Sequence, residues 1–504
     1  MRRIKSLRPI VNRFLAYPYL IAFFAGAVAV FGFAPYGLFP LPLLALTMLF
    51  WLWSRAERPR CAAALGFTFG MGLFIFGVGW IYIALHEYGH MHPVLAAVAT
   101  LLFATLISLP AALAGYLQAR CRAASHVSVL LLMPAFWVLA EWLRGLMFTG
   151  FPWLVLGYAQ TPPSPLAGYA PLFGVYGVSL AVAASAGLLL FVLHAHWSAA
   201  GKMALGGLCA LWLIGGALQQ VEWTQPQGEP FRVSLLQGNL AQDLKFEEAA
   251  LVGTLEAYRR LAGASDARLI VLPETALPLL RDNVPEKYQA LLRDHVRQNG
   301  GDILVGAFEK ENGRYYNSVY SLGSAESQHY RKDHLVPFGE FIPLRGALGW
   351  LINEVLQIPM GDLASGGAEQ PPLAVAGQKI AVNICYEDAF GEEIIRALPA
   401  ATLLINVTND AWYGESNAAM QHNQLSQMRA LESGRMMLRA TNTGVTSVIG
   451  VDGRVQAMLP QHEEGVLTAQ VQGYAGSTPY VCWGNGAALM LLGLMLGISW
   501  RLRV

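Results

Sequence analysis

"AVNICYEDAF", residues 381–390, decides the fold class of the soluble part of this chain and raises the question of its chemistry. The apolar run at its start predicts a short buried strand that ends at Cys385. The residues directly after the thiol are Tyr386, Glu387 and Asp388. Anions beside a thiol raise its pKa and make it less reactive. Cys385 is therefore either an inert buried residue or a nucleophile for which another segment supplies positive charge.

The composition of the 504-residue chain indicates a membrane protein. Apolar residues make up 55% of the chain and charged residues only 13%, whereas soluble domains carry about 25% charged residues. The net charge of +1 gives no reason to expect a nucleic-acid partner. The five cysteines show no CxxC spacing, which argues against a disulfide framework and against a zinc site.

Eight apolar segments predict membrane-spanning helices. They lie near residues 18–34, 38–54, 62–85, 93–118, 126–147, 171–194, 202–219 and 480–500. The apolar stretch 148–171 is broken by Pro152, Pro162, Pro163 and Pro165 and predicts an interfacial loop, because irregular backbone at membrane depth is tolerated only against protein or water.

The distribution of Lys and Arg predicts the orientation. Basic residues precede the first span and occupy alternate loops, whereas the loops 35–37 and 86–92 contain no Lys or Arg. The positive-inside rule then places both termini in the cytoplasm and the large segment between the seventh and eighth spans outside it. We therefore divide the chain into a transmembrane domain of about seven helices (1–219), an extracytoplasmic domain (220–479) and a C-terminal helix with a cytoplasmic tail (480–504).

The segment 220–479 predicts an α/β domain. Seven short apolar runs predict strands: "RVSLLQGN", "RLIVLPET", "DILVGAFE", "YNSVYSLG", "IAVNICYE", "TLLINVTND" and "GVTSVIGV". Helical spacing of apolar positions predicts helices over 245–263, 284–299 and 420–441. Alternating strands and helices are typical of an α/β domain.

Three strand-end residues form the candidate catalytic constellation. "VLPETALP" ends a strand at Glu274, and "YRKDHLVPFGEFIP" places Lys332 after a strand with Glu340 eight residues later. Glu274 could accept the proton of Cys385, and Lys332 could stabilise the thiolate and the oxyanion formed on attack. Taken singly, a strand-end cysteine is more often structural, and a lone strand-end Glu or Lys is more often a solvated edge residue.

The motifs together resemble a known family. "VLPET", "YRKDH" and "NICYED" are similar to the Glu-Lys-Cys motifs of the nitrilase, or carbon–nitrogen hydrolase, superfamily, whose fold is an αββα sandwich. With "HLVPFGEFIP", "NVTNDAWYG" and the membrane motifs "WVLAEWLRG" and "TGFPWLVLGYAQ", nearly the whole chain resembles the bacterial apolipoprotein N-acyltransferases. The resemblance implies a general base at Glu274, an oxyanion-stabilising Lys332 and a nucleophile at Cys385. It implies supporting roles for Glu340, Tyr386 and Glu387, and no cofactor.

The resemblance also implies the reaction and its partners. A phospholipid would donate a fatty acyl chain to Cys385 as a thioester, and the α-amino group of a lipoprotein's diacylglyceryl-cysteine would accept it. A monomeric enzyme of the bacterial inner membrane, with its catalytic domain in the periplasm, is expected. One alternative is a membrane-anchored amidase or nitrilase that uses water as the acceptor. Another is a transporter or receptor whose outer domain only binds a ligand.

Three further features carry expectations. The apolar segment 344–361, with Trp350 and Leu351, predicts either a lid that admits lipid chains or an ordinary packed helix pair. Glu141 and Arg144 near the end of the fifth span are either functional intramembrane charges or a pair that anchors the helix end. "HEYGH" (86–90) matches a zinc-protease pattern, but a glycine in the motif and the absence of a further ligand downstream favour an interfacial loop without metal.

Overall fold

The computed structural model describes residues 17–195, 198–241, 248–341 and 362–502. The predicted lid segment 344–361, with Trp350 and Leu351, therefore lies outside the described residues. The chain divides into two compact units. The first comprises 1–82, 93–221 and 485–504, and the second comprises 83–92 and 222–484.

The first unit consists of apolar helices. They are α1 Pro18–Ala29, α2 Pro40–Arg55, α3 Pro59–Gly77, α4 Pro93–Arg120, α5 Met133–Arg144, α6 Ala170–Ala195, α7 Ala199–Leu218 and a last helix Gly486–Arg501. Proline occupies the first turn of α1, α2 and α3, where its missing N–H removes no hydrogen bond. Five helical segments of the described chain are long and apolar enough to cross a membrane. The protein is thus a polytopic α-helical membrane protein, and the number of eight spans stays a prediction.

The segment 148–171 forms no long helix but two 3₁₀ turns, Tyr158–Gln160 and Pro165–Tyr169. Its backbone is held by the two charged residues of α5. Oε1 of Glu141 accepts a hydrogen bond from the Leu156 N–H at 3.0 Å, and Nη1 of Arg144 donates to the Phe151 carbonyl at 2.5 Å. Both side chains are buried. Polar partners of this kind are what irregular backbone needs among apolar helices.

The second unit is built on two six-stranded sheets. The first has the order β12-β1-β2-β3-β4-β5 and the second the order β11-β10-β9-β8-β7-β6. The strand bounds of the first sheet are β1 Gln225–Gln237, β2 Leu269–Val271, β3 Asp302–Glu311, β4 Arg314–Gly323, β5 His329–Arg331 and β12 Gly465–Ala475. Those of the second are β6 Leu373–Val375, β7 Gln378–Ile384, β8 Leu403–Thr408, β9 Met437–Thr441, β10 Ser447–Ile449 and β11 Val455–Met458.

Each sheet has a parallel centre, β1-β2-β3 in one and β7-β8-β9 in the other, with antiparallel neighbours. The central strands β2, β8 and β9 are buried along their whole length, as continuous apolar runs predict for strands covered on both faces. Because the carboxyl ends of neighbouring parallel strands lie at one edge of a sheet, this topology gathers the residues that follow β7 and β8.

Helices cover the outer faces of the two sheets. Helix α8 (Glu248–Gly263) and helix α9 (Glu286–Gln298) share an apolar core with the first sheet that includes Leu261, Leu292 and Val305. Helix α10 (Ala418–Ser433) packs Ala430 on a second core. Since β1 also packs against β9, the layers are helix, sheet, sheet and helix, and the expected sandwich is confirmed.

The predicted helix 420–441 is wrong in its second half. Helix α10 ends at Ser433, and Gly434 adopts a left-handed conformation with φ of 63°, as is common for the residue that ends a helix. The next apolar residues form strand β9, which pairs with β8 and β10. The apolar run after Gly434 therefore continues into the sheet, because its backbone groups complete two ladders there.

Candidate active site

The candidate residues follow strand ends of both sheets. Glu274 lies in the turn after β2, Lys332 follows β5, and Cys385 follows β7 directly. Glycine at position 306 of β3 lets the turn after β2 lie close, since an added Cβ would be 2.2 Å from the Pro273 carbonyl oxygen. The fold thus positions an acid, an amine and a thiol through segments far apart in sequence.

The Glu274 carboxylate is buried and held by two donors from different sheets. Oε1 accepts a hydrogen bond from the Asn317 side chain at 2.7 Å, and Oε2 accepts one from the Asn409 N–H at 2.9 Å. Asn317 lies on β4 and Asn409 directly after β8. These contacts fix the orientation of the carboxylate, as a general base requires.

The Lys332 ammonium lies between two carboxylates. Its Nζ is 2.9 Å from Glu340 Oε2 and 3.7 Å from Glu274 Oε1, and its side chain is only 1% exposed. Burial disfavours the charged amine, but Glu340 and Glu274 outweigh it and raise the pKa of Lys332 above its usual value. The ammonium is therefore a fixed positive charge in the site. Glu340 itself is oriented by the Val336 N–H, which donates to Oε2 at 2.8 Å.

Cys385 is buried and adopts a positive φ of 54°, a conformation that costs a non-glycine residue about 1–3 kcal/mol and that is frequent at active sites. Burial raises the pKa of its thiol and Glu274 raises it further, whereas Lys332 acts in the opposite direction. The thiol is therefore protonated in the resting site. Proton removal has to accompany attack, and a base has to be close.

The acidic residues directly after Cys385 are not the main cause of the raised thiol pKa, contrary to the prediction from the sequence. Asp388 is neutralised by Arg439 at 3.0 Å. Glu387 accepts backbone hydrogen bonds from Ile384 at 2.6 Å and from Asp333 at 2.7 Å. The carboxylates that raise the pKa of the thiol are instead Glu274 and Asp410. Glu387 and Asp388 are thus bound to other partners after the chain turns at the end of β7.

Glu387 and Tyr386 connect the turn after β7, which carries Cys385, to the loop after β5, which carries Lys332. The Glu387 carboxylate spans the Ile384 N–H on one side and the Asp333 N–H on the other. Burial raises the pKa of Glu387 to about 7, although the backbone donors and Lys332 oppose this shift. The Tyr386 ring packs edge-on against His334, two residues after Lys332, with ring centroids 6.0 Å apart. These two residues support the loops that carry Lys332 and Cys385.

The sequence analysis missed two asparagines and a tyrosine of the site. Asn317 is inconspicuous in "YNSVYSLG" because it lies inside a strand, and Asn409 contributes its backbone N–H. Tyr413 follows them in the turn Asp410–Tyr413. Burial raises the pKa of its phenol, as do the nearby Cys385 and Asp410. The run "NDAWY" (409–413) at a strand end was the available signal for Asn409 and Tyr413.

Comparison with known proteins assigns the chain to a family. The family model described as "Apolipoprotein N-acyltransferase N-terminal domain" matches residues 25–188, and that described as "Carbon-nitrogen hydrolase" matches residues 232–480. A Nitrosomonas europaea protein named apolipoprotein N-acyltransferase is 50% identical over 95% of this chain and 96% of its own length. The chain belongs to the apolipoprotein N-acyltransferase family.

Further relatives of the same name agree with this membership. Those of Methylococcus capsulatus and Chromobacterium violaceum are 43% and 44% identical, each over 96% of this chain and over 96% and 94% of their own lengths. As a member of the apolipoprotein N-acyltransferase family, the chain is an acyl-transferring enzyme of the carbon–nitrogen hydrolase superfamily. Its two family regions correspond to the apolar helices and to the double-sheet domain described above.

Proposed function

We propose that this enzyme transfers a fatty acyl chain from a phospholipid, through a thioester on Cys385, to the α-amino group of a diacylglyceryl-cysteine at the N-terminus of an apolipoprotein. The observation that supports this most is the burial of Glu274, Lys332 and Cys385 in one site of a protein rich in apolar helices. A base, a fixed cation and a thiol suit acyl transfer. Apolar helices suit substrates that are both lipid-anchored.

In the first half-reaction, Glu274 takes the proton of the Cys385 thiol as the sulfur attacks the ester carbonyl. Lys332 faces the oxyanion that develops on the carbonyl oxygen. When the tetrahedral intermediate collapses, the C–O bond breaks, and Glu274 returns the proton to the departing alkoxide. The products are a lysophospholipid and a thioester on the enzyme.

In the second half-reaction, the neutral amine of the lipoprotein attacks the thioester carbonyl. Glu274 accepts a proton from the nitrogen, the C–S bond breaks, and the proton returns to the Cys385 thiolate. The product is an amide on the lipoprotein. Because the two bulky lipids use the site in turn, the kinetic scheme is ping-pong.

The proposal also includes the cellular location of the enzyme and the route by which lipid chains reach the site. The enzyme is a monomer of the inner membrane, with residues 220–479 on the periplasmic side. Residues 344–361 admit the lipid chains, so that Trp350→Glu combined with Leu351→Glu slows acylation by phospholipid. A small soluble thioester donor is affected much less by this variant. An equal loss of the acylation rate with both donors would contradict the proposal that residues 344–361 admit the lipid chains.

The experiment is to incubate the purified enzyme with phospholipid and a synthetic diacylated lipopeptide and to analyse the products by mass spectrometry. We expect one equivalent of triacylated lipopeptide for each lysophospholipid formed. Free fatty acid in place of the amide would identify a hydrolase. Absence of any lysophospholipid would contradict enzymatic transfer and favour a binding protein.

A further inference from the structure

A buried group of four charged residues lies directly behind the nucleophile and has no part in the steps above. It consists of Asp388, Asp410, His422 and Arg439, whose side chains are at most 1% exposed. Arg439 donates from Nη1 to Asp388 at 3.0 Å and from Nη2 to Asp410 at 2.9 Å. We call these four residues the charge quartet. They come from four different segments, namely the turns after β7 and β8, helix α10 and strand β9.

The partners of the His422 ring determine its protonation state. Nδ1 is 2.8 Å from Asp410 Oδ1, and Nε2 is 2.9 Å from Asp388 Oδ1 and 3.2 Å from the Cys385 carbonyl oxygen. Each of these atoms is a hydrogen-bond acceptor. Both ring nitrogens must therefore donate, which only the imidazolium form can do.

The charge count of the quartet also indicates that His422 is in the imidazolium form. Two carboxylates and one guanidinium leave one negative charge, and a protonated His422 cancels it. An uncompensated charge in such a dry environment is strongly unfavourable. Burial and Arg439 lower the pKa of His422, but Asp388 and Asp410 outweigh them and raise it to about 9. His422 and Arg439 likewise overcome the effect of burial and hold the pKa of Asp410 at about 2.

The quartet is connected to Cys385 through the carbonyl group of that residue. Besides His422, the Asn406 side chain donates to this oxygen at 3.0 Å, and Asn406 in turn accepts from Arg439 at 2.9 Å. The Cys385 carbonyl is thus held by two donors that the quartet orients. Fixing this peptide group supports the positive φ at which the thiol is presented.

We propose that His422, protonated at neutral pH, is a positioning residue that together with Arg439 neutralises Asp388 and Asp410 and keeps Cys385 in its attacking conformation. A neutral residue at 422 would leave one carboxylate of the quartet uncompensated. Asp410 is already among the groups that oppose ionisation of the thiol. Removing the positive charge of His422 would therefore make Cys385 harder to ionise. The inference rests on the proposed role of Cys385 as nucleophile but not on the identity of its substrates.

Other titratable groups surround His422 on the elements that pack against helix α10. They are Cys385, Tyr386 and Glu387 on the turn after β7, Tyr413 after β8, Glu392 and Glu393 on the helix Gly391–Ile394, Tyr480 and Cys482 on the helix Pro479–Trp483, and Arg429 and Glu432 on α10 itself. Arg429 and Glu432 form their own pair at 3.0 Å, and Glu393 contacts His334 at 3.0 Å. The charges that contact the His422 ring directly are those of Asp388 and Asp410.

The effect on stability has a defined sign. An unfolded histidine titrates near pH 6.5, whereas folded His422 titrates at about 9. The folded state therefore holds an additional proton between these two values. The stabilisation by the charged ring is complete below about pH 6.5 and is lost as the pH rises through about 9.

The test measures the alkylation of Cys385 by iodoacetamide as a function of pH in the full-length enzyme, followed on the Cys385 peptide by mass spectrometry. We expect His422→Gln to lower the rate roughly tenfold at neutral pH, the equivalent of raising the thiol pKa by about one unit. Its kcat should fall while KM for phospholipid changes little. The matched control is His295→Gln on α9, a half-buried histidine whose Nε2 contacts the Ser265 carbonyl oxygen at 2.8 Å. This control should alkylate like the wild type.

A second variant separates charge from packing. Adding Asp388→Asn to His422→Gln restores the charge balance of the quartet and should recover most of the lost alkylation rate. The proposal would be overturned if both variants lost the same fraction of the alkylation rate while thermal unfolding showed that both were folded. If neither variant folds, ¹⁵N NMR of the wild-type histidines decides. Both nitrogens of His422 should be protonated at pH 7.5, and a neutral ring would refute the proposal.

Discussion

At the residue scale, the site depends on fixed charges carried by loops that follow strands of the first sheet. Lys332 is 2.9 Å from Glu340 and 3.7 Å from Glu274, and all three are withdrawn from solvent. In a dry site such a charge acts on a developing oxyanion far more strongly than it would in water. The ammonium also compensates the negative charges of the Glu274 and Glu340 carboxylates.

Glu387 provides a residue-scale test of the supporting contacts. Oε2 accepts from the Ile384 N–H and Oε1 from the N–H groups of Asp333 and His334. In Glu387→Gln, either orientation of the amide turns an NH₂ group toward a backbone donor. We expect a loss of about 1–3 kcal/mol in the free energy of unfolding, measured by denaturant titration, together with reduced kcat. Unchanged stability would mean that these hydrogen bonds do not hold the two loops.

Residue types at strand ends made Glu274, Lys332 and Cys385 candidates, and the resemblance of their motifs to a known family selected them. The structure brings Lys332 into contact with Glu274, and it places Cys385 where the charges of both act on the thiol. Partners such as Asn317 and His422 could not be predicted in this way. Their roles depend on contacts between segments many residues apart, and each has an ordinary position in a strand or a helix. The positioning roles of these partners, like the catalytic roles of the three predicted residues, are our proposal.

At the element scale, close approach of backbone to backbone sets the position of the base. The turn that carries Glu274 lies over β3 at Gly306, where an added Cβ would be 2.2 Å from the Pro273 oxygen and 2.8 Å from the Thr275 nitrogen. Neither of these is the end of a flexible side chain, so a larger residue has to displace the turn itself. Strand β3 thereby controls the position of Glu274, although Glu274 is not part of that strand.

Gly306→Ala tests this arrangement. The added methyl group should cost about 1–3 kcal/mol of folding free energy through overpacking and should lower the rate of Cys385 acylation by displacing Glu274. The matched control is Gly253→Ala in α8, where an added Cβ meets no atom within 4 Å. Alanine there should be neutral or slightly stabilising. Wild-type acylation in the Gly306 variant would show that the turn does not depend on β3.

Element boundaries show where sequence patterns were insufficient. The apolar spacing of 420–441 fits a helix throughout, but Gly434 ends it and the remainder becomes β9. Strands β5 and β6, with three residues each, are too short to leave a periodic pattern. In contrast, the long apolar helices and the buried parallel strands were predictable, because burial on all sides leaves a continuous apolar run.

At the scale of the whole molecule, the distribution of basic residues predicts the sidedness of the double-sheet unit. The rule concerns Lys and Arg in short loops and at the ends of spans; Arg55 ends α2, and Arg58 lies in the loop before α3. That loop is predicted to face the cytoplasm, and the double-sheet unit the periplasm.

The topology can be measured in intact cells with a membrane-impermeant maleimide. Exposed Glu326 of the double-sheet unit and exposed Glu57 of the loop between α2 and α3 are replaced by cysteine, one at a time. We expect Glu326→Cys to gain label in intact cells relative to the parent protein. Glu57→Cys should gain label only after the inner membrane is permeabilised. The reverse pattern would place the catalytic unit in the cytoplasm and would separate it from its proposed lipoprotein substrate.

The covalent intermediate is the central claim of the account, and one measurement tests it most directly. The wild-type enzyme is mixed with phospholipid labelled in its acyl chain, the lipopeptide is omitted, and the protein is denatured and digested. We predict up to one equivalent of label on the Cys385 peptide, released by neutral hydroxylamine as a thioester is, and no such label in Cys385→Ser. If no label accumulates while lysophospholipid still forms only when both substrates are present, the acyl chain passes directly between the two lipids and the thioester mechanism is wrong.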